Sequence, residues 1–153
     1  MIRKFKFEDE IYQTLSCLPM AAKRNLDAAG IKIGRSQWAQ LSRGERLMVC
    51  EAHAETAGEM AALRLSIEKM VLAKAGSRPT ELSAEVRESA RPPANLPARL
   101  AACAEALGEP ITQSAWNNLD EDERFALVKL GGGAKPRQNL RAALIELLGA
   151  RER

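Results

Sequence analysis

Three cysteines are the side chains of this 153-residue chain best suited to covalent chemistry: Cys17, Cys50 and Cys103. Their odd number, their wide separation and the lack of a Cys-x-x-Cys pair argue against a disulfide framework and a zinc ribbon. We expect all three to be small buried hydrophobic side chains. Cys17 has a second interpretation, because it precedes Leu18-Pro19 at the predicted start of a helix. A helix N-terminus favours a reactive thiolate, so Cys17 is the candidate functional thiol.

The other residues with catalytic or metal-binding potential have simpler structural explanations. His53 is the single histidine, so a Ser-His-Asp or Cys-His pairing would depend on it alone, and we expect it at the surface. The acidic run from Asp120 to Glu123 lies at a predicted helix N-terminus, where carboxylates interact favourably with the helix dipole. The run from Gly131 to Gly133 lacks the Gly-Lys-Ser/Thr ending of a phosphate-binding loop and is interpreted as a flexible hinge. We therefore expect no catalytic residue, no metal, no cofactor and no enzyme activity.

The elements that position these residues follow from an internal repeat. Residues from Leu18 onward align without gaps on residues from Leu96 onward, at an offset of 78 positions. The identical pairs include both tryptophans of the chain: Leu18/Leu96, Pro19/Pro97, Ala28/Ala106, Gly30/Gly108, Ile33/Ile111, Ser36/Ser114, Trp38/Trp116, Leu41/Leu119, Glu45/Glu123 and Arg46/Arg124. Helix-forming Ala, Leu, Arg and Glu dominate the composition. The sequence therefore predicts an all-α fold of two tandem, pseudo-symmetric helical repeats.

Both copies predict the same order of elements: a Leu-Pro helix start, a glycine C-cap, an extended piece, a serine that begins a Trp-containing turn, and a capping box. In copy one the helix is 19–29, the C-cap is Gly30, the extended piece is 31–33, the serine is Ser36 and the capping box is Ser42-x-x-Glu45. In copy two the helix is 97–107, the C-cap is Gly108, the extended piece is 110–112, the serine is Ser114 and the capping box is Asp120-x-x-Glu123. The last helix differs between the copies. In copy one a capping box at Thr56 and Glu59 opens a helix that ends at Gly76, with an apolar stripe of Met60, Leu63, Ile67, Met70 and Val71; copy two has Leu140, Leu144, Ile145 and Leu148.

The predicted domain organisation is an N-terminal repeat at 1–76, a polar, Pro-rich linker at 77–95 with at most one weak helix, and a C-terminal repeat at 96–153. An isolated unit of this size buries little apolar surface. We therefore expect the repeats to share one core within a single compact domain. Trp38 and Trp116 are assigned to that core, because equivalent positions in copies of different charge indicate shared packing.

The two copies carry opposite charges. From Met20 to Arg46 there are six basic and two acidic residues, a net charge of +4, whereas Ala98 to Arg124 has two basic and six acidic residues, a net charge of −4. Dense charge steers protein encounters and selects their orientation. We interpret the basic face of copy one as the partner-binding surface, formed by Lys23, Arg24, Lys32, Arg35 and Arg43. Two alternatives stay open: the charges are solvated surface only, or they support weak head-to-tail self-association.

Composition also limits the class of partner and the compartment. No apolar run reaches the roughly 18–20 residues that a membrane span needs, and the N-terminus lacks the apolar stretch of a signal peptide. We expect a cytoplasmic protein with no membrane partner. A net charge of +3, an aromatic content of 4% and the acidic second copy argue against nucleic acid as the partner.

The chain resembles the nitrate reductase-associated protein family, small proteins of cyanobacteria and other bacteria. That family has a Phe-x-Phe-Glu element, a Cys-Ile-Pro-Met box, a Lys-Leu-Asp before Gly-Ile-Lys, and a Trp followed by Glu-Arg. The matching residues are Phe5-Lys6-Phe7-Glu8, Cys17-Leu18-Pro19-Met20, Asn25-Leu26-Asp27, Gly30-Ile31-Lys32, Trp38, Glu45-Arg46, Trp116 and the stretch 124–130. Leu18 and Asn25 depart from the pattern. The resemblance implies an accessory or maturation factor of assimilatory nitrate reductase.

These observations give one preferred function and two alternatives. The preferred hypothesis is a non-catalytic accessory or maturation factor that binds a redox enzyme, with assimilatory nitrate reductase as the candidate partner. The alternatives are a nucleic-acid-binding helical module that uses the basic copy, and a thiol-dependent activity at Cys17.

Overall fold

The computed structural model describes residues 4–88, 92–132 and 137–149. Within these ranges the chain is mostly α-helical and has a single two-stranded sheet, which confirms the predicted all-α class. The elements, after a 3-10 turn at Lys6–Glu8, are α1 Asp9–Thr14, α2 Met20–Ala29, β1 Ile31–Lys32, α3 Arg35–Gln40, α4 Arg43–Glu51, α5 Ala57–Ala75, β2 Thr80–Glu81, α6 Ala84–Glu88, α7 Ala98–Ala106, α8 Gln113–Asn117, α9 Glu121–Gly131 and α10 Leu140–Leu148.

Contacts divide the described chain into two units. Unit 1 contains residue 4 and residues 8–88, and unit 2 contains residues 5–7, 92–132 and 137–149. The sheet and α6, which lie partly in the predicted linker, therefore belong to unit 1. The shared core, the domain boundaries and the pseudo-symmetry of the repeats stay predictions.

The core of unit 1 is built on α2, which packs against α4 and α5, while α3 also packs against α5. On α5 the buried residues Leu63, Ile67 and Val71 follow the predicted apolar stripe, and Met60 and Met70 at its margins are half-buried. This helix is 19 residues long and ends at Gly76 in the left-handed conformation, as predicted. The stripe on one face of α5 therefore anchors the longest helix of unit 1.

The predicted capping boxes are present. The Ser42 hydroxyl accepts from the Glu45 amide at 3.1 Å, and the Glu45 carboxylate accepts from the Ser42 amide at 2.8 Å. Equivalent pairs open α5 at Thr56 and Glu59 and α9 at Asp120 and Glu123; the four distances lie between 2.8 and 3.1 Å. These bonds satisfy amides that have no partner inside a helix.

The predicted starts of the two Trp-containing turns are wrong by one or two residues. Helix α3 begins at Arg35, and the Gly34 amide that precedes it donates to the Gln37 side chain at 2.9 Å. Helix α8 begins at Gln113, because the Thr112 hydroxyl accepts from an amide of its first turn at 3.0 Å. Ser36 and Ser114, predicted to begin these turns, are therefore the second residues of α3 and α8.

The extended piece after α2 has a partner that the sequence did not predict. Strand β1 pairs antiparallel with β2, with Ile31 opposite Glu81 and Lys32 opposite Thr80. The Leu82 amide extends the pairing by donating to the Gly30 carbonyl at 2.9 Å. The extended piece predicted for copy two, residues 110–112, is not a strand. The start of the predicted linker is thus part of the fold of unit 1.

Unit 2 is built on α7, α9 and α10. Two predictions fail here. Ile145 is 49% exposed, and Leu147 is buried in its place. Gly131 is not a hinge: it is the buried last residue of α9, where an added Cβ would lie 2.6 Å from the Cδ1 atom of Leu100. Because Gly131 has no side chain, α7 can approach it closely. Gly133, the last residue of the predicted hinge, lies outside the described residues.

The N-terminal segment belongs to the same unit. The amides of Lys6 and Phe7 both donate to the Glu146 carboxylate of α10, at 3.2 and 2.9 Å. The rings of Phe5 and Phe7 stack with their centroids 5.2 Å apart, and Phe5 is buried. One carboxylate and one buried ring thus fix this segment to unit 2.

Gly30→Ala is expected to lower the free energy of unfolding by about 2 kcal/mol, because Gly30 is left-handed and lies against Arg87. Its φ is +79°, and an added Cβ would lie 2.7 Å from the Arg87 Nε atom. Gly76→Ala is the matched control in the same unit, since Gly76 has a φ of +73° and open space around it. We expect the control to cost about 1 kcal/mol in urea unfolding. Equal losses would show that Arg87 moves away without cost.

Candidate functional site

The residues of the predicted basic face differ in how far their charges are available. The Arg43 guanidinium donates to the carbonyl oxygens of Gln13 and Tyr12, each at 3.0 Å. These are carbonyls of the last turns of α1. Arg43 is solvent-exposed, but its guanidinium group stabilises the end of a neighbouring helix.

Lys23 and Arg24 lie on α2 and are both half-buried. Each also interacts with other groups of the protein. Their half-burial limits how far a partner protein can reach these two charges. Lys32 and Arg35, in contrast, are exposed at β1 and at the first residue of α3.

The structure adds a cation that the sequence analysis missed. The Gln37 side-chain amide donates to the Arg78 carbonyl oxygen at 2.9 Å and to the Ser77 hydroxyl at 3.0 Å. This clamp holds the backbone of exposed Arg78 beside α3, next to the β1–β2 pair. We call Lys32, Arg35 and Arg78 the basic edge of unit 1. Arg78 was missed because it lies in the predicted linker, and no local pattern marks the β1–β2 pairing.

The three cysteines lie in different environments, so the prediction that all are buried is wrong. Only Cys50 is buried; Cys17 is exposed and Cys103 is intermediate. Burial, together with the nearby carboxylates of Glu8 and Glu51, raises the pKa of the Cys50 thiol to about 12. Burial likewise raises the pKa of the Tyr12 phenol, and Cys50 and Glu8 add to the shift. Both groups are held in their neutral, unreactive forms.

Iodoacetamide at pH 8 is expected to modify Cys17 rapidly and Cys50 at least tenfold more slowly, because alkylation needs an accessible thiolate. Mass spectrometry of time points gives the rate at each site. In urea all three cysteines should react at similar rates, which is the control for intrinsic reactivity. Comparable rates at Cys17 and Cys50 in the folded protein would contradict the environment described for Cys50.

The two tryptophans are fully buried, as predicted, with 0% of each side chain exposed. The Trp38 indole donates to the Leu15 carbonyl at 2.7 Å, and the Trp116 indole donates to the Pro93 carbonyl at 3.2 Å. Both acceptors precede their indole by 23 residues, so these hydrogen bonds match at the repeat offset. The indoles are therefore core groups and not a surface for stacking ligands.

An arginine covers each indole in the same way. The Arg46 guanidinium lies 6.0 Å from the Trp38 ring centroid, and the Arg124 guanidinium lies 5.7 Å from that of Trp116. Each Nε atom donates to the carbonyl of the tryptophan beneath it, at 3.1 Å in both units. These arginines are structural. The same contacts thus recur at an offset of 78 residues.

The described part of the chain has neither a metal-binding cluster nor a membrane-spanning helix. No cluster of three or more His, Cys, Asp or Glu side chains suited to a metal ion occurs among these residues. His53 is exposed, as expected. Among the same residues, no helix combines the length and the apolar character of a membrane span.

Comparison with protein families gives one match. A family model described as conserved nitrate reductase-associated protein matches residues 4–147. The chain belongs to this family. A search of curated proteins and a search of solved structures each found no match.

The structure shows what two of the sequence motifs do, the Phe-x-Phe-Glu element and the box at residues 17–20. Glu8, the acidic residue of the Phe-x-Phe-Glu element, is buried, and its carboxylate accepts from the Met20 amide at 2.8 Å. Met20 is the first residue of α2, and Pro19 before it has no side-chain acceptor. Glu8 therefore caps α2 and joins the two motifs.

Asn25 departs from the lysine that the family pattern has at this position, and it also has a structural role. Its side-chain amide donates to the carbonyls of Val49 and Ala52 at 2.8 and 3.0 Å. These carbonyls lie at the C-terminal end of α4, where backbone acceptors lack helical partners. A lysine ammonium is also a donor, so the departure preserves the kind of contact.

Proposed function

We propose that this protein is a non-catalytic accessory factor that binds nitrate reductase. The observation that carries the proposal is the family match over residues 4–147, because the family is named for its association with that enzyme. A protein–protein role also agrees with the uneven charge of the chain, since dense surface charge accelerates and orients association.

The environments of the reactive side chains support a non-catalytic role. Catalytic nucleophiles usually have a lowered pKa or an adjacent base. Cys50 and Tyr12 instead have raised pKa values, and the buried carboxylate of Glu8 caps a helix. Cys50, Tyr12 and Glu8 are therefore poorly suited to nucleophilic catalysis. Cys17 is exposed, so a thiol function at this residue is the alternative to be tested.

The proposal is tested in two steps. The purified chain is immobilised, and its binding to purified nitrate reductase from the same organism is measured directly. Nitrate reductase activity is then compared between wild-type and deletion strains at equal amounts of the enzyme, with nitrate as the nitrogen source. We expect binding, and lower specific activity in the deletion strain. Full activity in that strain together with no binding would refute the proposal.

Cys17→Ser separates the accessory role from a thiol-dependent one. The substitution replaces an exposed sulfur by oxygen and leaves the capping contact at Met20 in place. We expect the variant to restore nitrate reductase activity in the deletion strain. Failure of a folded Cys17→Ser protein to do so would favour thiol chemistry over a binding role alone.

A further inference from the structure

We propose that the basic edge of unit 1, formed by Lys32, Arg35 and Arg78, is the docking surface for an acidic surface of the partner protein. The inference rests on the proposed function, since it names the surface through which the accessory factor binds. It narrows the five-residue basic face of the sequence analysis to two of its members and adds one residue from the predicted linker.

The fold places Arg78 beside Lys32 and Arg35, which lie in a much earlier part of the sequence. Lys32 lies on β1 opposite Thr80 of β2. Arg78 is two residues before Thr80, and its carbonyl is held by Gln37 of α3. Arg35 begins that same helix. The charged side chains are therefore presented from backbone that is fixed by strand pairing and by a side-chain clamp, which lowers the ordering cost of binding.

A fourth cation lies beside this edge. Arg87 of α6 is exposed, and its guanidinium Cζ atom would lie 3.1 Å from a Cβ at Gly30, the residue directly before β1. Two acidic residues belong to the elements next to this edge, Glu81 on β2 and Glu85 on α6. The Glu81 carboxylate accepts from the Arg64 guanidinium at 3.1 Å, and Arg64 also contacts Glu68 at 2.9 Å. Arg64 is shared between Glu81 and Glu68, so the charged residues named here are five cations and three carboxylates, and the local balance stays positive.

The charges of the edge are available for a partner. Among the described residues, no ion pair engages Lys32, Arg35 or Arg78, and all three are exposed. Arg43 and Arg46, in contrast, donate to backbone carbonyls. The exposed hydroxyl-bearing residues Ser77 and Thr80 add uncharged polar groups to the surface. Such a surface fits a cluster of carboxylates.

A protein fits this edge better than a nucleic acid does. Single strands bind through exposed aromatic rings on which bases stack, and both indoles of this chain are buried. Duplex binding needs many phosphate contacts, whereas the edge offers three cations. The segment from Ala98 to Arg124 carries a net charge of −4 and would repel phosphate. The partner we infer is therefore a protein with an acidic patch.

The test reverses the edge in the full chain: Lys32→Glu, Arg35→Glu and Arg78→Glu together. The control reverses three other exposed cations, Lys69, Arg99 and Arg141, and so changes the net charge equally. Stopped-flow association with purified nitrate reductase is measured for both variants, with circular dichroism to verify folding. At about 0.01 M salt we expect the edge variant to associate at least about tenfold more slowly than wild type, and the control less than about threefold.

The salt dependence decides whether the loss is electrostatic. At about 1 M salt the Debye length is about 3 Å, so the difference between the edge variant and wild type should fall below about threefold. Equal losses in the two variants would overturn the proposal, because net charge alone would explain them. A loss that is the same at both salt concentrations would also overturn it, and so would wild-type association by the folded edge variant.

A second probe separates this inference from the proposed function. Poly-L-glutamate is titrated into the isotope-labelled wild-type chain, and backbone amide shifts are recorded by NMR. We expect the largest shifts at residues 31–35 and 77–81. If nitrate reductase does not bind but these shifts appear, the proposed function fails and the docking edge stands. Shifts centred elsewhere, or duplex DNA binding at physiological salt that the edge reversal abolishes, would overturn the inference.

Discussion

Trp38→Ala is expected to lower the free energy of unfolding by about 3–5 kcal/mol, the usual cost of deleting a buried aromatic side chain. The indole of Trp38 is fully buried and packs in the core of unit 1 with residues of α2, α4 and α5. The substitution also removes the 2.7 Å hydrogen bond to the Leu15 carbonyl. Domains of this size are stable by about 5–15 kcal/mol, so unit 1 should be close to unfolding. Urea unfolding followed by circular dichroism measures the loss.

Trp38→Phe is the matched control, because it keeps most of the ring and loses the indole donor. The Leu15 carbonyl keeps a donor in both variants, since an Arg46 nitrogen lies 3.2 Å from it. We therefore expect the phenylalanine variant to lose about 1–2 kcal/mol. A loss below about 1 kcal/mol for Trp38→Ala would contradict the core position of this indole.

Trp38→Ala also tests the prediction that the two units share one core. With Trp38 removed, Trp116 is the remaining tryptophan, so its fluorescence reports on unit 2 alone. If the two units unfold as one cooperative core, the unfolding transitions followed by fluorescence and by circular dichroism should both move to lower urea concentration. Separate cores would leave the fluorescence transition at its wild-type midpoint.

Local patterns explain why many elements were predictable from the sequence. A capping box such as Ser42 and Glu45 joins residues three positions apart, and an apolar stripe such as Leu63, Ile67 and Val71 is read within one helix. The left-handed glycines Gly30 and Gly76 were predictable for the same reason, because each directly follows the last residue of a helix. In each case the interacting groups lie within a few residues, so sequence spacing fixes their geometry.

Long-range contacts explain what was missed. The partner of β1 is two residues of a polar segment, and nothing in Thr80-Glu81 marks a strand. Ile145 and Leu147 are both apolar, and their burial depends on how α10 rotates against its neighbours. Gly131 was interpreted as a hinge because the approach of Leu100 is not visible in its local sequence.

The same limit applies to the candidate site. Arg43 and Lys32 both contribute to the basic window of copy one, but only the fold shows that Arg43 binds carbonyls of α1 while Lys32 faces solvent. Arg78 joins Lys32 through strand pairing and the Gln37 clamp. Charge counts therefore locate a basic region, and tertiary contacts decide which of its charges a partner can reach.

Arg46→Met is expected to lower the free energy of unfolding by about 2–3 kcal/mol, and Arg124→Met by about 1–2 kcal/mol. Methionine keeps an unbranched apolar stem over the indole, so the loss of stability in each variant measures the hydrogen bonds that the guanidinium group donated. Arg46 donates to the carbonyls of Trp38 and Ala39 at 3.1 and 3.0 Å, and also to those of Leu15 and Thr14 at 3.2 and 3.4 Å. Arg124 donates to the carbonyls of Trp116 and Asn117 at 3.1 and 3.0 Å.

Comparing the two variants separates the hydrogen bonds that both arginines make from those that only Arg46 makes. Two of the four acceptors of Arg46 are matched by those of Arg124, so the excess loss at Arg46 reports on its bonds to residues 14 and 15. Arg46→Lys should recover little, because a compact ammonium cannot span carbonyls that a planar guanidinium bridges. Association of folded Arg46→Met with nitrate reductase should stay within about threefold of wild type, since this charge serves the fold. Equal losses for the two variants would show that the bonds of Arg46 to residues 14 and 15 add no stability. Slowed association by the folded Arg46→Met protein would show that Arg46 contributes to the partner surface.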